Sequence, residues 1–427
     1  MNILILTIGS RGDVQPFVAL GKGLKAAGHD VTVCTAHTFE PFVVEHGLKY
    51  AYMTDEIIRL TDTVDGQRTI ESGGKGFGLI KKVKPIIREM LTQAWEAAQG
   101  AEAIVYHPKT LAGYHIAEKL GIPVFMSMPL PAYTPTREFP NPILPPNIRL
   151  GAAFNRLSYM VTRMVGMPFG GIVNEWRQSI GLPPRGRLAN EIVLPNGQPM
   201  PTLYSYSPHV VPTPSDWQPS TVATGYWFLD QQADWQPPSD LVDFLNAGEP
   251  PVYVGFGSMA GTDPEGKARV VLSALEQSGQ RGILASGWGG LKADSLPENV
   301  FMLEQAPHDW LFPRVKAVVH HGGAGTTAAG LRAGKPTIVC PFFGDQPFWG
   351  QHVYQLGVGP KPIPQKQLTA EALARAIQTA VSDAGMAQRA AALGEKIRAE
   401  DGVARAVEII EAALQSNRSR GQNVAVI

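Results

Sequence analysis

Short β-branched runs alternate with stretches of helical period along almost the whole chain, and such a pattern folds into parallel sheets covered by helices. In the first half the strands are expected at Asn2 to Ile8, Asp30 to Thr35, Ala103 to Tyr106 and Val124 to Met126. In the second half they are expected at Val252 to Gly255, Gly282 to Ala285, Val300 to Met302, Ala317 to Val319 and Thr337 to Cys340. A chain of 427 residues exceeds one ordinary core and suits two domains of about 200 residues each. Between the halves, Ser207 to Ser239 carries six prolines and three tryptophans and reads as an extended connection. The expected class is α/β, with two Rossmann-like parallel-sheet domains facing a central cleft, because open α/β sheets bind ligands at the carboxyl ends of their strands.

Thirty-seven basic residues balance thirty-seven acidic ones, which removes any global electrostatic case for binding nucleic acid. Cys34 and Cys340 fall in expected strands of opposite halves, so a disulfide scaffold is excluded and a reducing compartment follows. The apolar run Ile3 to Ile8 has six residues and no basic flank, too short for a signal-peptide core or a bilayer span. A cytoplasmic protein is expected.

The chemistry concentrates between His320 and Gly350, HHGGAGTTAAGLRAGKPTIVCPFFGDQPFWG. A strand, Ala317 to Val319, feeds paired histidines, three glycines and two threonines, then a helix-compatible run from Ala328 to Ala333. That order makes an anion cradle: backbone N–H groups approach a phosphate, the helix dipole favours its charge, and Thr326 and Thr327 offer hydroxyls. After the next strand come Asp345 and Gln346. A carboxylate beside an amide suits sugar hydroxyls, which both donate and accept.

These segments resemble the C-terminal signature of the GT-B nucleotide-sugar glycosyltransferases of family 1, which act on small lipophilic acceptors. HHGGAGTT, LRAGKPT and PFFGDQPFWG most resemble the sterol 3-beta-glucosyltransferase-like branch, and ILILTIGSRGDVQPFVALGKGLKAAGHDVTVCTA is similar to the first βαβ unit of the same enzymes. The resemblance weakens between residues 130 and 200, the stretch that shapes the acceptor pocket in such families. It implies an acceptor-binding domain over residues 1–232, a nucleotide-sugar-binding domain over 240–400, and a C-terminal helix over 401–427 that crosses back to the first domain. That helix would present Val403, Val407, Ile410 and Leu414, with Asn417 to Ile427 frayed.

For the donor, the resemblance puts His321 against the β-phosphate, Gly323, Ala324, Gly325 and Thr326 along the pyrophosphate, and Asp345 with Gln346 on the hexose. Ser258 adds a hydroxyl near the phosphates. Where relatives carry an aromatic-Ala-Pro-Gln element for the base, this chain reads Gln305, Ala306, Pro307, His308. The base would then rest on main chain around Ala306 and Pro307, with Trp288 either a stacking surface or ordinary packing. Eight positions after His321, where many relatives grip the ribose with a glutamate, stands Ala329, which leaves UDP and dTDP donors both open. His320 has two readings, ligand or strand-end histidine satisfied by backbone.

Inverting transfer needs a base for the acceptor hydroxyl while the leaving nucleotide is stabilised. Relatives place a histidine in the first strand-to-helix loop and an aspartate after a later strand. Here the first loop, Gly9 to Asp13, offers Asp13, and the strand Ala103 to Tyr106 ends in His107. The catalytic pair implied is Asp13 as base with His107 as partner, and either could take the proton; Asp13 also suits a helix cap. His37, His46, His115 and His352 show no partner spacing. No Asp-x-Asp triplet occurs, so leaving-group stabilisation without a metal or other cofactor is expected.

From Pro129 to Leu150 runs a loop with seven prolines, whose Tyr133, Phe139 and Ile143 suit an acceptor wall. A helical stripe, Leu79, Val83, Ile86, Met90 and Leu91, lies opposite Lys81, Lys82, Lys84 and Arg88; core packing is the expected use, membrane contact the lesser one. The function implied is inverting transfer of glucose from UDP-glucose to a sterol, triterpenoid or similar hydroxyl, with a polyketide or phenolic acceptor and a UDP or dTDP sugar as the alternative. The partners are thus a nucleotide-sugar donor and a small hydrophobic acceptor, with at most peripheral membrane contact, in a monomer or weak dimer.

Overall fold

The computed structural model describes residues 1–62, 77–186, 189, 191–230, 235–257, 263–286, 291 and 295–424. Two all-parallel sheets organise it. The first holds β1 (Asn2–Leu6), β2 (Asp30–Ala36), β3 (Lys49–Met53), β4 (Ala103–Tyr106), β5 (Val124–Met128), β6 (Thr202–Tyr204) and β7 (Thr221–Ala223), in the order β3-β2-β1-β4-β5-β6-β7. The second holds β8 (Val252–Gly255), β9 (Gly282–Ala285), β10 (Val300–Leu303), β11 (Ala317–His320) and β12 (Thr337–Val339), in the order β10-β9-β8-β11-β12.

The central strands are apolar on both faces, as a doubly covered parallel sheet requires. Ile3 and Ile5 of β1 join Val31, Val33 and Val105 under α1 (Arg11–Ala26). Leu4 and Leu6 point the other way, with Ile104 and Tyr106, onto α2 (Phe77–Ala97). Ile86, Met90 and Leu91 of α2 are buried in that second cluster and Val83 packs against it, so these members of the expected stripe are core, while the Leu79 side chain lies outside the described residues.

Three strands escaped the sequence pattern. β3 is a half-exposed edge strand, and β6 and β7 have three residues each, too few for a period of two to show. Because β7 lies inside the stretch read as an extended connection, that stretch belongs in part to the first sheet. The acceptor loop leads into α3 (Ala152–Ser158), α4 (Met160–Gly166) and α5 (Gly170–Ser179). In the second lobe α6 (Ala324–Arg332) follows β11 and α7 (Gln346–Gln355) follows β12. Thus α6 begins four residues earlier than the helix-compatible run suggested.

The last helix, α8, spans Gly402–Val424, well past Leu414 and into the stretch read as frayed. Val403, Val407, Ile410 and Leu414 lie in the first lobe's core against α1. At the crossing α1 carries Gly23, where a Cβ would sit 2.5 Å from Val403 Cγ1. The lobes also share an apolar cluster, with Tyr204, Tyr206 and Tyr226 from the first and Leu331, Trp349 and Leu393 from the second. Arg332 of α6 pairs with Asp230 and stacks over Phe228, 4.3 Å from its ring centre.

Candidate active site

Both sheets reverse winding direction once, between β1 and β4 and between β8 and β11. Loops leaving adjacent strands at such a reversal splay apart and leave a crevice. In the first lobe Leu6 is in register with Tyr106, and the His107 N–H donates to Leu6 O at 2.8 Å. This sets the loop holding Asp13 beside the loop holding His107.

Asp13 sits in the first turn of α1 with a side chain 16% exposed. One carboxylate oxygen accepts from the Ser10 N–H at 2.9 Å and the Ser10 hydroxyl at 3.2 Å. The other accepts from Lys109 Nζ at 2.5 Å. Gly9, at φ +136°, is needed for this arrangement, since a Cβ there would lie 2.2 Å from the carboxylate oxygen. Burial alone would raise the Asp13 pKa, yet the Lys109 cation and the Ser10 N–H bring it below the ordinary carboxylate value. The carboxylate is therefore ionised at neutral pH.

His107 is 2% exposed, edge-on to Phe17, and its Nδ1 accepts from the Lys109 backbone N–H at 3.0 Å. Burial, reinforced by Lys109, lowers its pKa to about 3. The ring is then neutral, and with the Nδ1 lone pair occupied the hydrogen-bond network assigns the proton to Nε2. Asp13's partners are Ser10 and Lys109, and His107 is not among them. Lys109 is the site residue that sequence reading missed; its pKa rises because the Asp13 pair and the charge of Asp345 outweigh burial.

Across the cleft, α6 begins at Gly323 and Thr327 N–H makes the first helical bond back to Gly323 O, at 2.9 Å. The N–H groups of Ala324, Gly325 and Thr326 precede that bond, as in any helix start. Gly322 takes φ +93°, and a Cβ there would lie 2.7 Å from Val339 Cγ1. A Cβ on Gly325 would meet nothing within 4 Å, so open space lies before the cradle. The Thr327 hydroxyl donates to Gly323 O at 2.9 Å and is spent inside the helix, unlike the phosphate role expected for it.

His321 packs against Gly323 and Gly257, burial lowers its pKa to about 4, and its Nδ1 is buried without a partner among the described residues. His320 is fully buried; its Nδ1 accepts from the Gly322 N–H at 2.9 Å, as a strand-end histidine's would, while its Nε2 is buried without a partner among the described residues. Ser258 and Trp288 lie outside the described residues. Gln305 is exposed and Ala306 partly buried, while His308 stacks on Phe312 at 4.2 Å.

Asp345 stands at the N-cap position of α7, where its carboxylate makes no capping bond and accepts instead from Trp349 Nε1 at 2.9 Å. Burial raises its pKa and the like charge of Asp13 adds to this, against the pull of Lys109 and Trp349. Asp13 and Asp345, from opposite lobes, thus each feel the charge of Lys109, and Asp345 feels that of Asp13. Gln346 is 6% exposed, and its Oε1 accepts from Phe342 N at 2.7 Å and Phe343 N at 3.3 Å. Only its NH2 remains for a ligand, narrower than the donor-and-acceptor role expected.

The loop from Pro129 to Leu150, expected to wall an acceptor, is held down. Asn141, 1% exposed, donates to Ala132 O at 2.9 Å and Thr162 Oγ1 at 2.8 Å, and Asp216 accepts from Thr136 Oγ1 at 2.6 Å. Tyr133 and Phe139 are partly buried against the shared cluster, and Ile143 is exposed. His115, read from sequence as lacking a partner, is 3% exposed and meets Arg177 Nη1 at 2.8 Å in a buried network completed by Glu118.

Residues 3–139 match the glycosyltransferase family 28 N-terminal domain, and residues 288–412 match the erythromycin biosynthesis protein CIII-like C-terminal domain. The crystal structure of the kitacinnamycin glycotransferase superposes with a TM-score of 0.71 at 21% identity, covering 96% of this chain and 98% of that one. The chain thus carries these two domains and has the GT-B fold. Its sequence is 41% identical over 432 residues to a sterol 3-beta-glucosyltransferase of Emericella nidulans, covering 96% of this chain and 30% of that protein. It is 40% identical over 419 residues to one of Arabidopsis thaliana, covering 96% and 65% respectively. The chain therefore spans from under a third to about two thirds of these relatives' length.

Proposed function

We propose that this chain transfers glucose, with inversion, from UDP-glucose to a hydroxyl of a sterol or similar hydrophobic alcohol, and that Asp13 is the general base. The observation that carries the reading is the ionised Asp13 carboxylate, presented by the first lobe within electrostatic reach of Asp345 at the second lobe's cradle. The acceptor oxygen attacks the anomeric carbon as its bond to the diphosphate breaks; the hydroxyl proton passes to Asp13 and UDP leaves. The α6 N-terminus and a neutral His321, whose Nδ1 is free to donate when protonated there, stabilise the leaving diphosphate. Asp345 and the Gln346 NH2 orient the hexose.

His107 supports this base rather than replacing it, because its only unengaged ring nitrogen carries a proton. It closes the turn that presents Lys109, and Lys109 holds Asp13 ionised. The reaction needs no metal in this scheme. Its likeness to sterol 3-beta-glucosyltransferases supports the acceptor class, and two free buried cysteines are in keeping with a cytoplasmic setting.

A second reading, a polyketide or phenolic acceptor with a UDP or dTDP sugar, is favoured by the match of the second lobe to the erythromycin biosynthesis family and by Ala329 at the ribose-grip position. Purified protein with UDP-glucose, offered cholesterol, a flavonol and a macrolide in turn, separates the two. Acceptor-dependent UDP release with cholesterol is expected. Turnover of the macrolide or flavonol alone selects the second reading, and equal UDP release with no acceptor rejects both.

A further inference from the structure

The segment after the acceptor loop is built inside out. α3 and α4 form a near-continuous rod, since Tyr159 between them is itself helical, at φ −67° and ψ −10°. The inner face is polar and tied down: Asn155 donates to Arg137 O at 2.8 Å, Ser158 accepts from the Asn141 N–H at 2.8 Å, and Thr162 donates to Ala132 O at 2.6 Å. The outer face is apolar. Leu157 and Met164 lie seven residues apart on the rod, with Val165 and Met167 beside Met164 and Leu150 just before α3; all are exposed, Leu157 by 68%. No side chain of α4 is buried. A helix on a soluble surface carries the reverse polarity, and contiguous exposed apolar side chains mark a docking surface.

Charge indicates what docks there. Arg156 and Arg163 precede Leu157 and Met164 on the rod, Arg149 precedes Leu150 just before it, and no Asp or Glu occurs from Phe139 to Asn174. A cationic, apolar face of this kind complements an anionic lipid surface, where acyl chains take the leucine and methionines and headgroup phosphates take the arginines. Among the described residues no helix is long and apolar enough to cross a membrane, so the contact is interfacial.

We propose that the outer face of α3 and α4 docks onto the surface of an anionic phospholipid bilayer. This goes beyond the proposed reaction and does not depend on it, because docking requires neither donor nor acceptor.

The test is co-sedimentation of the full chain with vesicles at low ionic strength, without either substrate. Binding to mixed phosphatidylcholine–phosphatidylglycerol vesicles is expected, with much weaker binding to phosphatidylcholine alone. L157E/M164E and R156Q/R163Q should each lower the partition coefficient by at least about tenfold, with melting temperature and UDP binding unchanged. Should L157E/M164E fold poorly, R156Q/R163Q, which alters only side chains at the surface, decides the matter. Absence of binding to the mixed vesicles overturns the proposal, as does full binding by the variants. Dimerisation that the variants abolish would assign the face to a second copy instead, and equally overturns it.

Discussion

Asp13→Asn separates catalysis from capping at the residue where both meet. Asparagine keeps an oxygen toward the Ser10 N–H and hydroxyl, now at 2.9 and 3.2 Å, so the helix start changes by only a few tenths of a kcal/mol. It loses the ion pair to Lys109, whose side chain is 54% exposed; solvent screening keeps that loss below about 1 kcal/mol. The melting temperature should therefore move little. Proton acceptance disappears, and a positioned general base contributes roughly a hundredfold to ten-thousandfold in rate. The assay is kcat from acceptor-dependent UDP release beside the Kd for UDP by calorimetry: kcat should fall by that factor and Kd by less than about twofold, because the base acts in the transition state and does not touch the nucleotide. Ser10→Ala is the control, removing about 1 kcal/mol of capping with kcat within a few-fold of the parent. If Asp13→Asn keeps more than about a tenth of the rate, or if Ser10→Ala loses as much, Asp13 is a cap and not a base.

Lys109→Met removes the cation that holds the Asp13 pKa down, so the acid limb of the kcat/KM profile should move to higher pH; an unmoved limb assigns it to another group. Gly325→Val adds a side chain where nothing lies within 4 Å, so stability should barely change while UDP affinity falls by at least about tenfold; retained affinity would place the diphosphate elsewhere. His107, His308 and His321 have pKa values lowered to about 3, 4 and 4, below the unfolded value, so the unfolded chain binds more protons as pH falls through the mid-sixes. Each should then cost about 1.4 kcal/mol of stability per pH unit between roughly 6.5 and 4.5, read by urea unfolding at pH 7 and pH 5.5. Equal stability at the two pH values would mean that these rings are already charged in the fold.

The fold was legible wherever a strand of four or more largely apolar residues lay in a doubly buried sheet, as at Ala103–Tyr106 and Val252–Gly255, which match residue for residue. It was illegible at β6 and β7, whose three residues reveal no period. The cradle was readable because a glycine turn into a helix is local. Lys109 was not, since its meeting with Asp13 spans 96 residues and a lone lysine after a proline has no period; the available signal was topological, the adjacency of β1 and β4 at the point where winding reverses. Gln346 shows the same limit in miniature: its type suggested a sugar ligand, whereas its oxygen's use by Phe342 and Phe343 belongs to a turn only the structure shows. The polarity of α3 was hidden because Asn155 and Ser158 look like surface residues until Arg137 and Asn141 are seen beneath them.

The most direct measurement is a crystal structure with a UDP-glucose analogue that cannot transfer its sugar. The diphosphate should lie at the N-terminus of α6 beside His321, with the hexose on Asp345 and its anomeric carbon turned to Asp13 across space for one hydroxyl. A hexose directed into solvent, with Asp13 still locked between Ser10 and Lys109 and no room for an acceptor between, would contradict the shared site.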